Sequence, residues 1–300
     1  MPRPCGILSL DKPAGPTSHD IVDKVRLLFR EKQVGHAGTL DPMATGVLVL
    51  GVGPATRLMT FIGGHRKEYV AGLLLGRNTD SEDVTGSTLS EQSASDITRE
   101  DVEKALTGLR GEILQAPPMV SAVRHEGKRL YELARQGKTV ERAPRPVTVY
   151  SLELLDFTSG VEASAVLRVQ CSGGTYVRTL CADIGTSLGC GGCMSSLRRT
   201  AIGPFRIEDT VTLEQIEVMG LAALQPASAA VAHIPAIRLT PDQVLRIIHG
   251  GAIMTGQESV GDSNLVRLED LHGQLVAMAN TMETGDGLRC QPFLVLPPAG

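Results

Sequence analysis

The stretch Val34–Gly53, VGHAGTLDPMATGVLVLGVG, places His36 and Asp41 in one glycine-broken loop and follows them with the apolar run Val47–Val52. Gly35, Ala37, Gly38, Ala44 and Gly46 surround the two side chains with small residues, leaving room for a ligand or another backbone to come close. Pro42 pushes the residue before it out of the helical region, so Asp41 is expected in an extended or turn conformation. A carboxylate held this way can act as nucleophile or base. The same spacing also suits a turn-forming Asp before Pro, and a loop histidine is often only a satisfied structural residue.

Two other clusters have chemical potential. Residues 124–145 hold seven Lys+Arg against three Asp+Glu, a basic segment suited to phosphate contacts. Cys171, Cys181, Cys190 and Cys193 fall within 23 residues and the last two form C-x-x-C. The spacing does not match a paired C-x-x-C zinc ribbon, and Cys171 and Cys181 fall in an expected strand and helix, so no metal is expected.

The elements that must position these groups read as follows. GILSL (6–10) is a short strand, and a helix after it is capped by Thr17 or Ser18, with Ile21, Val22, Val25, Leu28 and Phe29 as its apolar stripe. Val47–Val52 and Tyr69–Leu75 are central strands. Residues 80–101 carry seven Asp+Glu against one Arg and read mostly as a solvated loop; Thr98 and Asp101 form a capping box for the helix that follows. A short helix spans 130–136, strands cover 147–157 and 165–171, and a glycine hinge feeds a helix with Val177, Leu180, Cys181, Ile184 and Leu188 inward. A helix-rich connector (206–235) leads to a helix started by Thr240–Pro241 and to short strands at 265–268, 275–279 and 293–296.

The 300 residues exceed one comfortable core and predict one large and one small domain. The net charge of −4 is unevenly spread: residues 1–206 carry 25 Lys+Arg and 22 Asp+Glu, residues 207–300 carry 4 and 11. The front part is the expected anion binder. The sequence has no apolar run long enough for a membrane helix, no signal-peptide core and too few cysteines for a disulfide scaffold, so a cytoplasmic protein with reduced thiols is expected.

GHAGTLDPMATGVL resembles the signature of the TruB family of pseudouridine synthases, which modify the tRNA T-loop. The resemblance continues in order through SLDKPAGPTSHD, KEYVAGLLLGRNTDSEDVTG, PPMVSAVRHEGKRLYELARQGKTVERAPRPV, CSGGTYVRTLCADIG and LRRTAIGPF. It implies an α+β pseudouridine synthase fold over residues 1–235, an antiparallel-rich central mixed sheet flanked by helices, and a small β-rich PUA-like domain over 236–300. It implies isomerisation of uridine 55 on a flipped-out nucleotide of the tRNA T-arm, with no cofactor and no metal, by a monomer without an obligatory protein partner.

By the same resemblance Asp41 is the catalytic aspartate, Arg178 its ion-pair partner and Tyr69 the ring that stacks on the target base. His36 enters the T-loop, Tyr176 and Leu197 line the pocket, and Lys12 supports the loop or approaches the RNA backbone. Arg198 and Arg199, with Arg124, Lys128, Arg129, Arg142 and Arg145, are expected to meet phosphates. One carboxylate suffices because the leaving base is also the incoming one; attack at C1′, attack at C6 and proton abstraction at C2′ all remain open. A non-catalytic RNA-binding module and the guide-RNA-dependent archaeal and eukaryotic relatives are the alternatives. The chain lacks the charged tails of the latter.

Overall fold

The computed structural model describes residues 3–256, 264–285 and 287–297, apart from positions 122, 126, 135 and 139. The first part of the chain forms β1 (Gly6–Lys12), α1 (Ser18–Phe29), β2 (Val34–His36), β3 (Thr45–Val52), α2 (Met59–Gly63), β4 (Lys67–Leu75), β5 (Arg77–Thr79) and β6 (Thr88–Glu91). It continues through α3 (Arg99–Thr107), β7 (Gly111–Gln115), β8 (Arg124–His125), β9 (Lys128–Arg129) and α4 (Leu130–Ala134). Then come β10 (Arg145–Thr158), β11 (Ser164–Cys171), α5 (Val177–Ser187), β12 (Gly192–Ile202), β13 (Phe205–Arg206) and α6 (Leu213–Met219). The last part forms β14 (Ala236–Arg238), α7 (Pro241–Ile248), β15 (Ile253–Thr255), β16 (Leu265–Glu269), β17 (Leu275–Thr284) and β18 (Gly287–Val295).

The fold is α+β. Its main sheet runs β1-β3-β12-β4-β11-β10-β7, with β2 on β3 and β13 on β12. The pairing of β12 with β3 is parallel, whereas β12 with β4, β4 with β11 and β11 with β10 are antiparallel. A second sheet, β14-β16-β17-β18-β15, lies in the C-terminal part.

Local chemistry sets the helix starts. Thr17, Thr98, Thr212 and Thr240 each accept from the third residue of their helix, whose side chain returns a bond to the cap backbone. The α1 stripe Ile21, Val22, Val25 and Phe29 enters the core; Leu28, counted with it from its spacing, is 38% exposed. β3 is buried from Gly46 to Val52, as a strand covered on both faces must be.

Two stretches differ from the sequence reading. Residues 192–202, GCMSSLRRTAI, form a central strand, although no apolar run marks it; pairing with β4 over its whole length overrides local propensity. Within 80–101, Ser81 and Asp83 are buried rather than solvated, because this turn is drawn in against Arg178 and the adjoining edge of β12.

The tail is not a separate bead. Leu275, Met278, Leu294 and Leu296 share one apolar cluster with Ile7, Val47, Val49, Ile202 and Phe205 of the main sheet. Arg57 also donates to the Val295 carbonyl at 2.9 Å across this contact.

Candidate active site

The loop bearing Asp41 is clamped on both sides. Before it, Ser18, the first residue of α1, donates its hydroxyl to the Leu40 carbonyl at 3.0 Å and accepts the Leu40 N–H at 2.9 Å. After it, Lys12 at the end of β1 directs its ammonium to the carbonyls of Pro13, Pro42 and Ala44 at 2.9, 3.2 and 2.8 Å. Lys12 is fully buried, which pulls its pKa down to about 8, against the opposing pull of Asp41. It therefore staples the loop and is not open to an RNA backbone.

Asp41 itself remains 35% exposed, while Arg178 beside it is only 4% exposed. The Arg178 Nε lies 3.0 Å from Asp41 Oδ2, and Nη2 lies 3.4 Å from Oδ1. The guanidinium also donates to the Ser81 carbonyl at 3.0 Å and the Val120 carbonyl at 2.8 Å, and faces Asp83 Oδ2 at 3.8 Å. One arginine thus ties the turn at Ser81–Asp83 and the chain at Val120 to the carboxylate, using the fixed fork of donors that lysine lacks. Burial pushes the Asp41 carboxyl above its ordinary range, and the charge of Arg178 pulls against that rise.

Arg178 stands in the first turn of α5, whose start is fixed by an unusual support. The buried Gln115 amide accepts the Tyr176 N–H at 2.7 Å and donates to the Tyr176 carbonyl at 3.0 Å, in place of a capping side chain. Tyr176 is half-buried at that N-terminus.

Tyr69 lies on β4 directly opposite Arg199 of β12, and Leu197 pairs with Ala71 two residues along. All three side chains are buried, and burial raises the Tyr69 phenol above its usual range. His36 ends β2 and accepts the Gly38 N–H on Nδ1 at 3.3 Å; burial lowers its pKa, favouring the neutral ring with its proton on Nε2.

Arg199 does not meet the expectation of a phosphate contact. It is 1% exposed and its guanidinium donates inward to the carbonyls of Val47 at 2.7 Å and Gly38 at 3.1 Å. Strand alternation accounts for this: Arg198 and Arg199 are neighbours on β12 and must point to opposite faces. Arg198 takes the outer face, 44% exposed, with Nη2 2.8 Å from Asp11 Oδ2. An exposed pair of this kind contributes at most about 1 kcal/mol, so Arg198 stays available to a polyanion. Of the other basic candidates, Lys128 and Arg145 are exposed and Arg142 donates to the Pro117 carbonyl at 3.1 Å. The side chains of Arg124 and Arg129 lie outside the described residues.

Sequence reasoning missed Ser18, Asp83 and Gln115, which touch the loop, Arg178 and the helix start. Ser18 appeared only as an alternative cap for α1, and Asp83 only as one acid in a run read as solvent-facing. The cysteines are free, and among the described residues no group of three or more His, Cys, Asp or Glu side chains is placed to hold a metal ion. No helix among them is long and apolar enough to cross a membrane.

Comparison with known proteins identifies the family. The family model for TruB family pseudouridylate synthase (N terminal domain) matches residues 26–177, and that for the tRNA pseudouridylate synthase B C-terminal domain matches 178–232. The chain is 41% identical over 288 residues to tRNA pseudouridine synthase B of Heliobacterium modesticaldum, covering 96% of this chain and 94% of that protein. It is 48% identical over 247 residues to the protein of that name from Symbiobacterium thermophilum, covering 82% of each. Among solved structures it resembles an H/ACA RNP bound to a substrate RNA containing 2′-deoxyuridine, with a TM-score of 0.74 and 27% identity over 98% of this chain and 86% of that one. A Cbf5-Nop10-Gar1 complex gives a TM-score of 0.73 and 29% identity, covering 98% and 85%. With two family models end to end over residues 26–232 and relatives of this identity along most of its length, the chain belongs to the TruB family of pseudouridylate synthases.

Proposed function

We propose that this enzyme converts uridine 55 in the T-loop of tRNA to pseudouridine, with Asp41 as the catalytic carboxylate acting on a flipped-out nucleotide. The observation that supports this best is the pairing of a loop carboxylate, held on both sides by Ser18 and Lys12, with a buried arginine. The reaction breaks the N1–C1′ bond, turns the uracil and forms a C5–C1′ bond; the C5 proton leaves and N1 gains one. Asp41 acts ionised, and Arg178 opposes the cost of keeping its charge in a site that excludes water. Tyr69 offers an aromatic face to the extruded base, with Tyr176 and Leu197 as further walls and His36 supporting the displaced nucleotide from the T-loop side. Arg198, Lys128, Arg142 and Arg145 position the T-arm backbone.

The match to a relative named tRNA pseudouridine synthase B along 94% of its length supports a tRNA enzyme over a subunit of a guide-RNA particle, and the reading extends to a stand-alone monomer in the cytoplasm. In this reading residues 1–235 are the catalytic domain and 236–300 the PUA-like domain.

Tritium release from a T-arm transcript labelled at uridine C5 tests the proposal. The wild type is expected to release label from position 55 alone, and Asp41→Ala to release none while still binding the transcript. Equal release by Asp41→Ala would overturn the role of the carboxylate.

A further inference from the structure

Four basic side chains are buried around the Asp41 loop, but only some are balanced. Arg178 has Asp41 and Asp83, and Lys12 has its three carbonyls beside Asp41. Lys67 and Arg199, 8% and 1% exposed, lie next to each other, and neither forms an ion pair with a carboxylate among the described residues. Among the described residues the Lys67 ammonium donates one hydrogen bond, to the Gly63 carbonyl at 2.9 Å. Keeping an ammonium buried beside a second cation, without a counter-ion, is costly, and burial with the charge of Arg199 lowers its pKa. A negative partner from outside the chain would relieve this.

The surface over Lys67 is built to admit one. A Cβ on Gly173 would stand 3.1 Å from Lys67 Nζ and 2.9 Å from the Gly63 carbonyl. A Cβ on Gly38 would stand 3.6 Å from both Lys67 Cε and Arg199 Nη1. Gly64 and Gly174, beside them, face open space. The ammonium is thus bordered by glycine backbone, and at Gly38, Gly64, Gly173 and Gly174 no Cβ stands beside it. Lys67 is two residues before Tyr69 on the same face of β4, about 7 Å along the strand, a separation suited to a base on Tyr69 and its flanking phosphate.

We propose that Lys67, backed by Arg199, binds the RNA phosphodiester that flanks the flipped uridine, approached across the glycine backbone of Gly38, Gly63, Gly64, Gly173 and Gly174. This rests on the tRNA reading above and adds a backbone-reading residue inside the site. Arg199 raises the local positive potential without touching the phosphate. The glycines allow the sugar-phosphate chain to lie against the protein backbone.

The test measures T-arm RNA binding against salt for the wild type, Lys67→Met, Gly64→Glu and Gly64→Lys. Each is given RNA with a natural linkage or a neutral methylphosphonate, placed in turn on either side of the target uridine. Lys67→Met, which keeps the buried methylenes, is expected to bind natural RNA about tenfold more weakly and to lower the slope of log K against log salt by about 0.7 to 0.9, the value for one phosphate. With the methylphosphonate on the correct side, wild type and Lys67→Met should bind alike. Gly64 is exposed with φ −80°, so its variants test the site without touching the core. Gly64→Glu should weaken natural RNA and Gly64→Lys should not. An unchanged slope in Lys67→Met, or the same loss with both neutral linkages, overturns the site. If Lys67→Met fails to fold, equal binding by the two Gly64 variants overturns it. Tritium release by the wild type is read in parallel. Its absence removes the tRNA reading, whereas turnover with an unchanged Lys67→Met slope removes only the phosphate site.

Discussion

Asp41 and Arg178 are exposed to very different degrees. The carboxylate is partly open, whereas the guanidinium is buried and satisfies two carbonyls as well as the acid. Because burial holds the Asp41 carboxyl above its ordinary range, the ionised form that the proposed reaction uses exists above that raised pKa and is lost as pH falls through it. Arg178→Gln removes the main influence pulling the value down. The acid limb of kcat/KM is therefore expected to move to higher pH, read from a pH profile of tritium release. An unmoved limb would show that Arg178 does not set the charge of Asp41. The same variant should also unfold more easily, since the Ser81 and Val120 carbonyls lose a charged donor, at about 1.5 to 3 kcal/mol each before relaxation. Asp41, Tyr69 and Arg178 were legible in the sequence because they stand inside ordered motifs. The inward turn of Arg199 was not. It depends on the parity of a strand that the sequence does not announce, and a one-residue change of parity exchanges Arg198 and Arg199 between solvent and core.

At the scale of elements, the site is held by contacts between strands distant in the chain. β3 and β12 run parallel with Arg199 opposite Gly46, where the backbones come so close that a Cβ on Gly46 would lie 2.2 Å from the Arg199 carbonyl oxygen. Gly46 also has φ +100°, a conformation that disfavours any side chain. Gly46→Ala is expected to cost on the order of 3 kcal/mol, seen as a lower denaturant midpoint, and to lower turnover by displacing Arg199 from the Gly38 carbonyl. A neutral effect on both would mean that the β3–β12 contact does not hold the loop. Helices were read well because their signals are local: the Thr17 and Thr98 caps sit within three residues of their partners. β12 was missed for the opposite reason, since its polar sequence is made a strand by β4 and β3 together. Gln115 was invisible for the same reason, as its partner Tyr176 is far along the chain.

For the whole molecule, the second sheet covers the back of the first. Leu275, Met278, Leu294 and Leu296 close over Ile7, Val49, Ile202 and Phe205, on the reverse of the strand that begins just after the Asp41 loop. Deleting residues 236–300 should uncover this apolar surface and make the remainder associate, measurable as a shift to larger species in size-exclusion chromatography; a well-behaved monomer that still turns over would contradict it. The strand pattern pointed to a small β-rich unit and the charge count to its acidic balance, but neither to its docking, since the docking residues are ordinary alternating strand residues with no motif of their own.

The order β3-β12-β4 also has a consequence in time. During synthesis β3 and β4 leave the ribosome early, yet the strand that joins them is β12, made long afterwards. At about 5 to 20 residues per second, the interval between Leu75 and Gly192 lasts on the order of ten seconds. For that period two apolar strands wait with unpaired edges. The nascent chain is therefore most exposed to wrong pairing midway through its own translation, and codon choice between those two points would affect the yield of active enzyme without altering a single residue.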